Sequence, residues 1–446
     1  MNANQGVDTK MHPQAYADSV TQQRAALPEI YGEVDFTLVP ERLDEEATLD
    51  DERFTAVRDA VRRVFDQPKL LETMRNATMT GDRIADAYAA LIPTLGFRNL
   101  VEMLETACQR GIDNVEDAPP ELVDLIAAME TTPAWVNMTL VAQGARAERI
   151  PMATATPLAI RGAFLATFLN KYAALPMTMT GTLSDEAAAK RVFETASFFT
   201  ATTLPGALDR SGKGFEAAAK VRLMHSMVRY HILNSGKWDV ATYGIPIPQA
   251  DQMPAGLISV FLMSAQLLKK GQTDFTPAQR ASVELSRYRC FLLGLPENLL
   301  GETPQEIVDL LIARHVSLRE GYDDETCGAL VRGTMEADLF DTSSVTGRLH
   351  AWLENGFSKF VLIKSFLDGD TERAAAIGIT FRRREKLAAG VAAGSLALKT
   401  AFYRVGLRLP VVSSRVDARL NRRLAELLDM YGHADFVTDA DRYNLN

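Results

Sequence analysis

Only three cysteines, Cys108, Cys290 and Cys327, occur in the chain, and no two form a CxxC pair. A disulfide framework is therefore excluded, and so is a thiolate zinc site. The count fits a reducing compartment, and with no secretory pattern in MNANQGVDTKMHPQ the expected localisation is cytoplasmic. Uninterrupted apolar runs of membrane-spanning length are missing too. The longest near-miss, LAAGVAAGSLALKTAFYRVGL (387–407), is rich in Ala and Gly and carries Lys399 and Arg404, which reads as a packed helix.

Motifs for several chemistries are equally absent. There is no GxGxxG or GxxxxGK[ST] cradle for phosphate, no GxSxG nucleophile elbow and no HExxH. None of the six histidines (His12, His225, His231, His315, His350 and His433) has a glutamate three residues before it, so a carboxylate-bridged di-iron bundle has no support. Strand signals are rare, and IPIPQ (245–249) is proline-punctuated loop. What remains is a cofactor held by very few side chains, or none.

What is present is a long helical chain. The sequence has 446 residues, 47% hydrophobic and 24% charged, enough to bury a large core. Its net charge of −9 argues against a nucleic-acid binder. The charge is uneven: residues 361–423 hold 13 Lys/Arg against 5 Asp/Glu, which leaves −17 on the rest. Such a basic segment is either a solvated helix face or a contact with an anionic membrane surface or a partner.

The fold class read from the pattern is all-α. Residues 1–50 carry three prolines and end in the acidic ERLDEEATLDDE, an extended arm. Residues 51–360 are expected to form the main helical domain, and 361–446 a basic helical extension packed on it. Phe54, Val57, Val61 and Phe65 fall on one stripe, and LVDLIAAME (122–130) behaves similarly. Central helices are expected at about 158–175, 185–203, 213–234, 255–270 and 277–294. Ser184 is the expected N-cap of the second, and Pro277 lies in the first turn of the last.

Within KVRLMHSMVRYHI (220–232), helical geometry puts Val221, Val228 and Ile232 beside His225, whereas His231 turns away toward Met224 and Met227. A histidine on an apolar face is either a satisfied core residue or a metal ligand. One imidazole cannot hold a catalytic zinc, but it can hold a haem, whose porphyrin supplies the other four nitrogens. The preceding helix carries Arg191 and Thr195 at i, i+4, with Glu194 beside them. These form either a polar distal pocket or an exposed ion pair with a threonine bonded back to its own backbone.

VRLMHSMVR following RVFETASFFT at this separation resembles the latex clearing protein (rubber oxygenase) family and its relatives, the mycophenolic-acid-pathway B-type oxygenases. CFLLGLPENLL (290–300) is similar to that family's later helix with its Gly-Leu-Pro turn, and the resemblance spans roughly 130–350. It implies a globin-like helical core with extra N- and C-terminal helices, haem b (iron) as cofactor, and dioxygen with an apolar isoprenoid-like or other alkene as substrates. By the same resemblance His225 matches the proximal iron ligand, and Arg191 and Thr195 match distal residues that orient dioxygen.

Two departures stand out. The family's distal lysine position is Glu194 here. Counted back without gaps, the position of the upstream glutamate proposed as its base lands on Leu175, in a stretch (150–183) without any Asp or Glu. Glu194 is the remaining candidate proton carrier. The competing expectation is a haem or lipid binder that has lost its base.

Overall fold

The computed structural model describes residues 16–179 and 185–432. Every regular element among them is helical, and the one β contact is an isolated bridge between Leu43 and Leu318. The all-α expectation holds.

In chain order the longer helices begin with α1 (Arg58–Phe65), α2 (Pro68–Thr78), α3 (Arg83–Ala89), α4 (Phe97–Arg110) and α5 (Pro120–Glu130). Next come α6 (Met138–Thr154), α7 (Thr156–Leu165), α8 (Lys171–Met179), α9 (Asp185–Ala201) and α10 (Lys213–Asn234). The remainder are α11 (Gln249–Lys269), α12 (Pro277–Leu292), α13 (Pro304–Ser317), α14 (Ala329–Glu336), α15 (Val345–Phe366), α16 (Arg383–Arg408) and α17 (Ser413–Tyr431). They divide into two compact units. One takes the described parts of Met1–Gly96, Pro119–Val136 and Arg222–Glu320; the other takes those of Phe97–Ala118, Asn137–Val221 and Gly321–Asn446.

Local chemistry sets the helix ends. Thr276 caps α12 in a reciprocal box with Gln279, with Pro277 in the first turn as the sequence reading expects. Thr303 and Glu306 repeat that arrangement on α13. The expected N-cap of α9, Ser184, lies outside the described residues. The stripe that starts at Phe54 begins as a 3₁₀ turn (Glu52–Val57) before continuing as α1. A single helix expected over 158–175 is instead broken after Phe168, and Asn170 restarts the chain by accepting the Tyr172 N–H at 3.0 Å.

Helix α11 starts at Gln249, earlier than the expected 255, with Pro254 inside it. A proline there cannot donate to the carbonyl of Ala250. Arg314 Nε on α13 donates to that carbonyl at 2.8 Å instead, so the helix continues.

In the first unit, Tyr31, Val34, Phe36 and Leu43 from the arm bury against Met79 and Ile245. Asp251 accepts from Arg42 at 2.8 Å and Arg314 at 3.0 Å, which fixes the start of α11. Burial works against its charge, but the two guanidinium groups hold the Asp251 carboxyl below its ordinary range. In the second unit, Leu165, Phe168, Leu330 and Leu362 form a closed core. Buried Arg161 donates to Glu354 at 3.0 Å and to the carbonyls of Thr334 and Met335, tying α7 to α14 and α15.

Candidate functional site

Helix α10 carries His225, and its observed bounds coincide with the expected 213–234. Val228 and Ile232 are buried on the histidine's face and Val221 is half-buried, as the periodicity requires. The imidazole itself is half-buried. Its Nδ1 lies 3.2 Å from Oε1 of Gln252, a buried residue on α11.

That contact answers how an apolar face accommodates a histidine. Nδ1–H donating to an amide oxygen leaves the ring lone pair on Nε2, the donor an axial iron site uses. The donor chemistry therefore fits a haem. Among the described residues no three His, Cys, Asp or Glu side chains converge into a metal cage.

Gln252 is the partner of His225 that sequence reasoning missed. It lies on the buried side of α11, four residues before Gly256 and eight before Val260. A glutamine on an otherwise apolar face is a signal of a buried polar partner. Farther along the same helix, Gly256 admits α12 closely: a Cβ there would meet Cys290 Sγ at 2.2 Å.

The helix is held rigid on both sides of His225. Arg222, three residues earlier, donates to Asp82 at the head of α3, with its Nη2 at 2.9 Å. Arg229, four residues later, is fully buried and pairs with Asp86 while donating to the carbonyls of Pro246 and Ile247 at 3.1 and 2.6 Å. Tyr31 Oη donates to the same carboxylate at 2.5 Å. Both arginines are committed to buried carboxylates, and their role is to orient α10.

In the second unit, α9 brings Arg191, Glu194 and Thr195 together. Thr195 Oγ1 donates to the Arg191 carbonyl at 3.0 Å, so that proton is engaged and the hydroxyl presents acceptor capacity. Arg191 is half-buried, with Nη1 at 3.6 Å from Met177 Sδ. Glu194 reaches Lys190 at 3.9 Å. Burial pushes the Glu194 carboxyl above its ordinary value, against the pull of Arg191 and Lys190. Phe198 and Phe199 follow in a T-shaped contact, ring centroids 5.2 Å apart. His231 is half-buried in edge contact with Tyr230, ring centroids 5.4 Å apart.

A separate cleft of about 660 Å³ in the first unit is lined by Asp82, Trp135, Arg222, Gln249 and Phe291 and does not include His225.

Comparison with known proteins adds two findings. Residues 150–430 match the family described as ER-bound oxygenase mpaB/B′/rubber oxygenase, catalytic domain. A solved structure of latex clearing protein in its closed state shares the fold, with a TM-score of 0.52 at 20% identity, over 79% of this chain and 91% of that one. No curated protein matches the chain.

Proposed function

The chain belongs to the ER-bound oxygenase mpaB/B′ and rubber oxygenase family, and from that premise we propose that it is a haem b-dependent oxygenase using dioxygen on an apolar, isoprenoid-like or other alkene. The observation that supports this reading is the His225–Gln252 contact, which would leave the imidazole Nε2 as the donor for an iron. Haem b, when bound, supplies an iron centre able to activate dioxygen. The overall change is one carbon–carbon double bond plus dioxygen giving two carbonyl groups, so no other reductant is consumed.

The residues of the chain have distinct tasks in this reading. His225 would hold the iron through Nε2, with Gln252 fixing its tautomer. Arg191 is a cationic hydrogen-bond donor for developing negative charge on oxygen. Thr195 contributes an acceptor oxygen. Glu194, with its carboxyl raised by burial, takes up and returns a proton closer to neutral pH than an exposed glutamate would.

A second reading, a haem or lipid binder without turnover, is favoured by one observation: 150–183 contains no carboxylate. Oxygen uptake by the hemin-loaded protein with squalene as probe, with carbonyl products trapped by a hydrazine, separates the two. Uptake that produces carbonyls and falls in Glu194→Gln supports the enzyme. Intact haem with no uptake supports the binder.

A further inference from the structure

Helix α16 is built inside out. The side it packs into its own unit is mostly small: Ala388, Ala389, Ala392 and Gly406 are buried, with Tyr403 the one large side chain buried among them. Gly356 on α15 permits that approach, because a Cβ there would lie 2.5 Å from the Ala388 Cβ. Six other large apolar side chains face solvent. Leu387 is 62% exposed, Val391 47%, Leu398 76%, Phe402 50%, Val405 56% and Leu409 51%.

At 100° per residue these six fall within about 60° of one another, a straight stripe roughly 33 Å long from Leu387 to Leu409. Val411, 89% exposed, extends it beyond the helix end. A contiguous exposed apolar stripe of this size marks an interaction surface.

Its charge decides the partner. Residues 381–423 hold 11 Lys/Arg and 2 Asp/Glu. Arg383, Arg384 and Lys386 stand at one end of the stripe, Arg404 and Arg408 beside it, and all are exposed. Arg419 from α17 sits over the Phe402 ring at 5.5 Å. Glu385, the one acid on α16, is half-buried and reaches Lys359 at 4.0 Å. Two copies of this face would bring like charges together, which disfavours self-association. Among the described residues no helix is long and apolar enough to cross a bilayer.

We propose that α16 docks flat on an anionic lipid surface. Leu387, Val391, Leu398, Phe402, Val405 and Leu409 enter the acyl boundary, and the flanking arginines and lysines remain at the headgroup phosphates. The inference rests on this face alone and stands whether or not the chain is an oxygenase.

The test is co-sedimentation of the full chain with phosphatidylcholine vesicles, with and without one third phosphatidylglycerol. Wild type should sediment with the anionic vesicles, release at high salt and bind neutral ones weakly. Leu398→Glu/Phe402→Glu should lose binding more than tenfold, and Arg404→Glu/Arg408→Glu about tenfold. All four positions face solvent, so both pairs should keep the wild-type melting curve. Absence of wild-type binding, or binding indifferent to both pairs, overturns the proposal. So does a wild-type dimer that Leu398→Glu/Phe402→Glu dissociates without any vesicle binding, which would assign the stripe to a second copy.

Discussion

His225 Nδ1 and Gln252 Oε1 stand 3.2 Å apart, joining the middle of α10 to the first turns of α11. This contact gives the imidazole one tautomer and one orientation. Replacing Gln252 with Leu removes the acceptor, and hemin affinity should fall about 10–100-fold, the usual loss when an outer-shell partner of a metal ligand is removed. Gln252→Glu keeps an acceptor and should retain affinity. Titration of the apoprotein with hemin measures both.

The α11–α12 contact should be as sensitive to bulk as Gly256 indicates. Gly256→Ala places a methyl 2.2 Å from Cys290 Sγ and should cost about 1–3 kcal/mol in urea unfolding. Cys290→Ala in the same chain should recover much of that loss, since it removes the colliding atom. Independent, additive effects would contradict the contact.

Arg161 and Glu354 form a buried ion pair, their side chains 4% and 0% exposed. Arg161→Met leaves an unpaired buried carboxyl and two carbonyls without their donor, with an expected loss of about 3–5 kcal/mol. Arg161→Met/Glu354→Met should be closer to wild type than the single variant. Thermal and urea unfolding of the two proteins make the comparison.

Burial holds the His231 imidazole below its ordinary 6.5, which fixes a sign. The folded chain binds that proton more weakly than the unfolded chain. Its contribution to stability is therefore complete above pH 6.5 and lost as pH falls through the lower folded value. Stability should decline over that window, and His231→Phe should flatten the decline. An unchanged pH profile in the variant would contradict the assignment.

Some of this was legible from sequence because local patterns carried it. The bounds of α10, the capped start of α12 and the face of His225 all follow from periodicity and turn chemistry. The early start of α11 was not legible, since Pro254 is tolerated only because Arg314, 60 residues later, satisfies the Ala250 carbonyl. The break after Phe168 depends on Asn170 winning a local hydrogen bond over helix continuation. Gln252 and the buried partners of Arg222 and Arg229 were hidden for the same reason: each is a long-range pairing that spacing along one helix cannot show. The exposed face of α16 reversed the usual reading, because its alanines rather than its leucines face the core.

The central claim is that His225 is the axial ligand of a haem. The most direct measurement is the visible spectrum of the purified chain, as isolated and after reconstitution with hemin, beside that of His225→Ala. A Soret band present in wild type and lost in the variant is the predicted result. A protein that stays colourless after reconstitution, or a variant whose spectrum matches wild type, would contradict it.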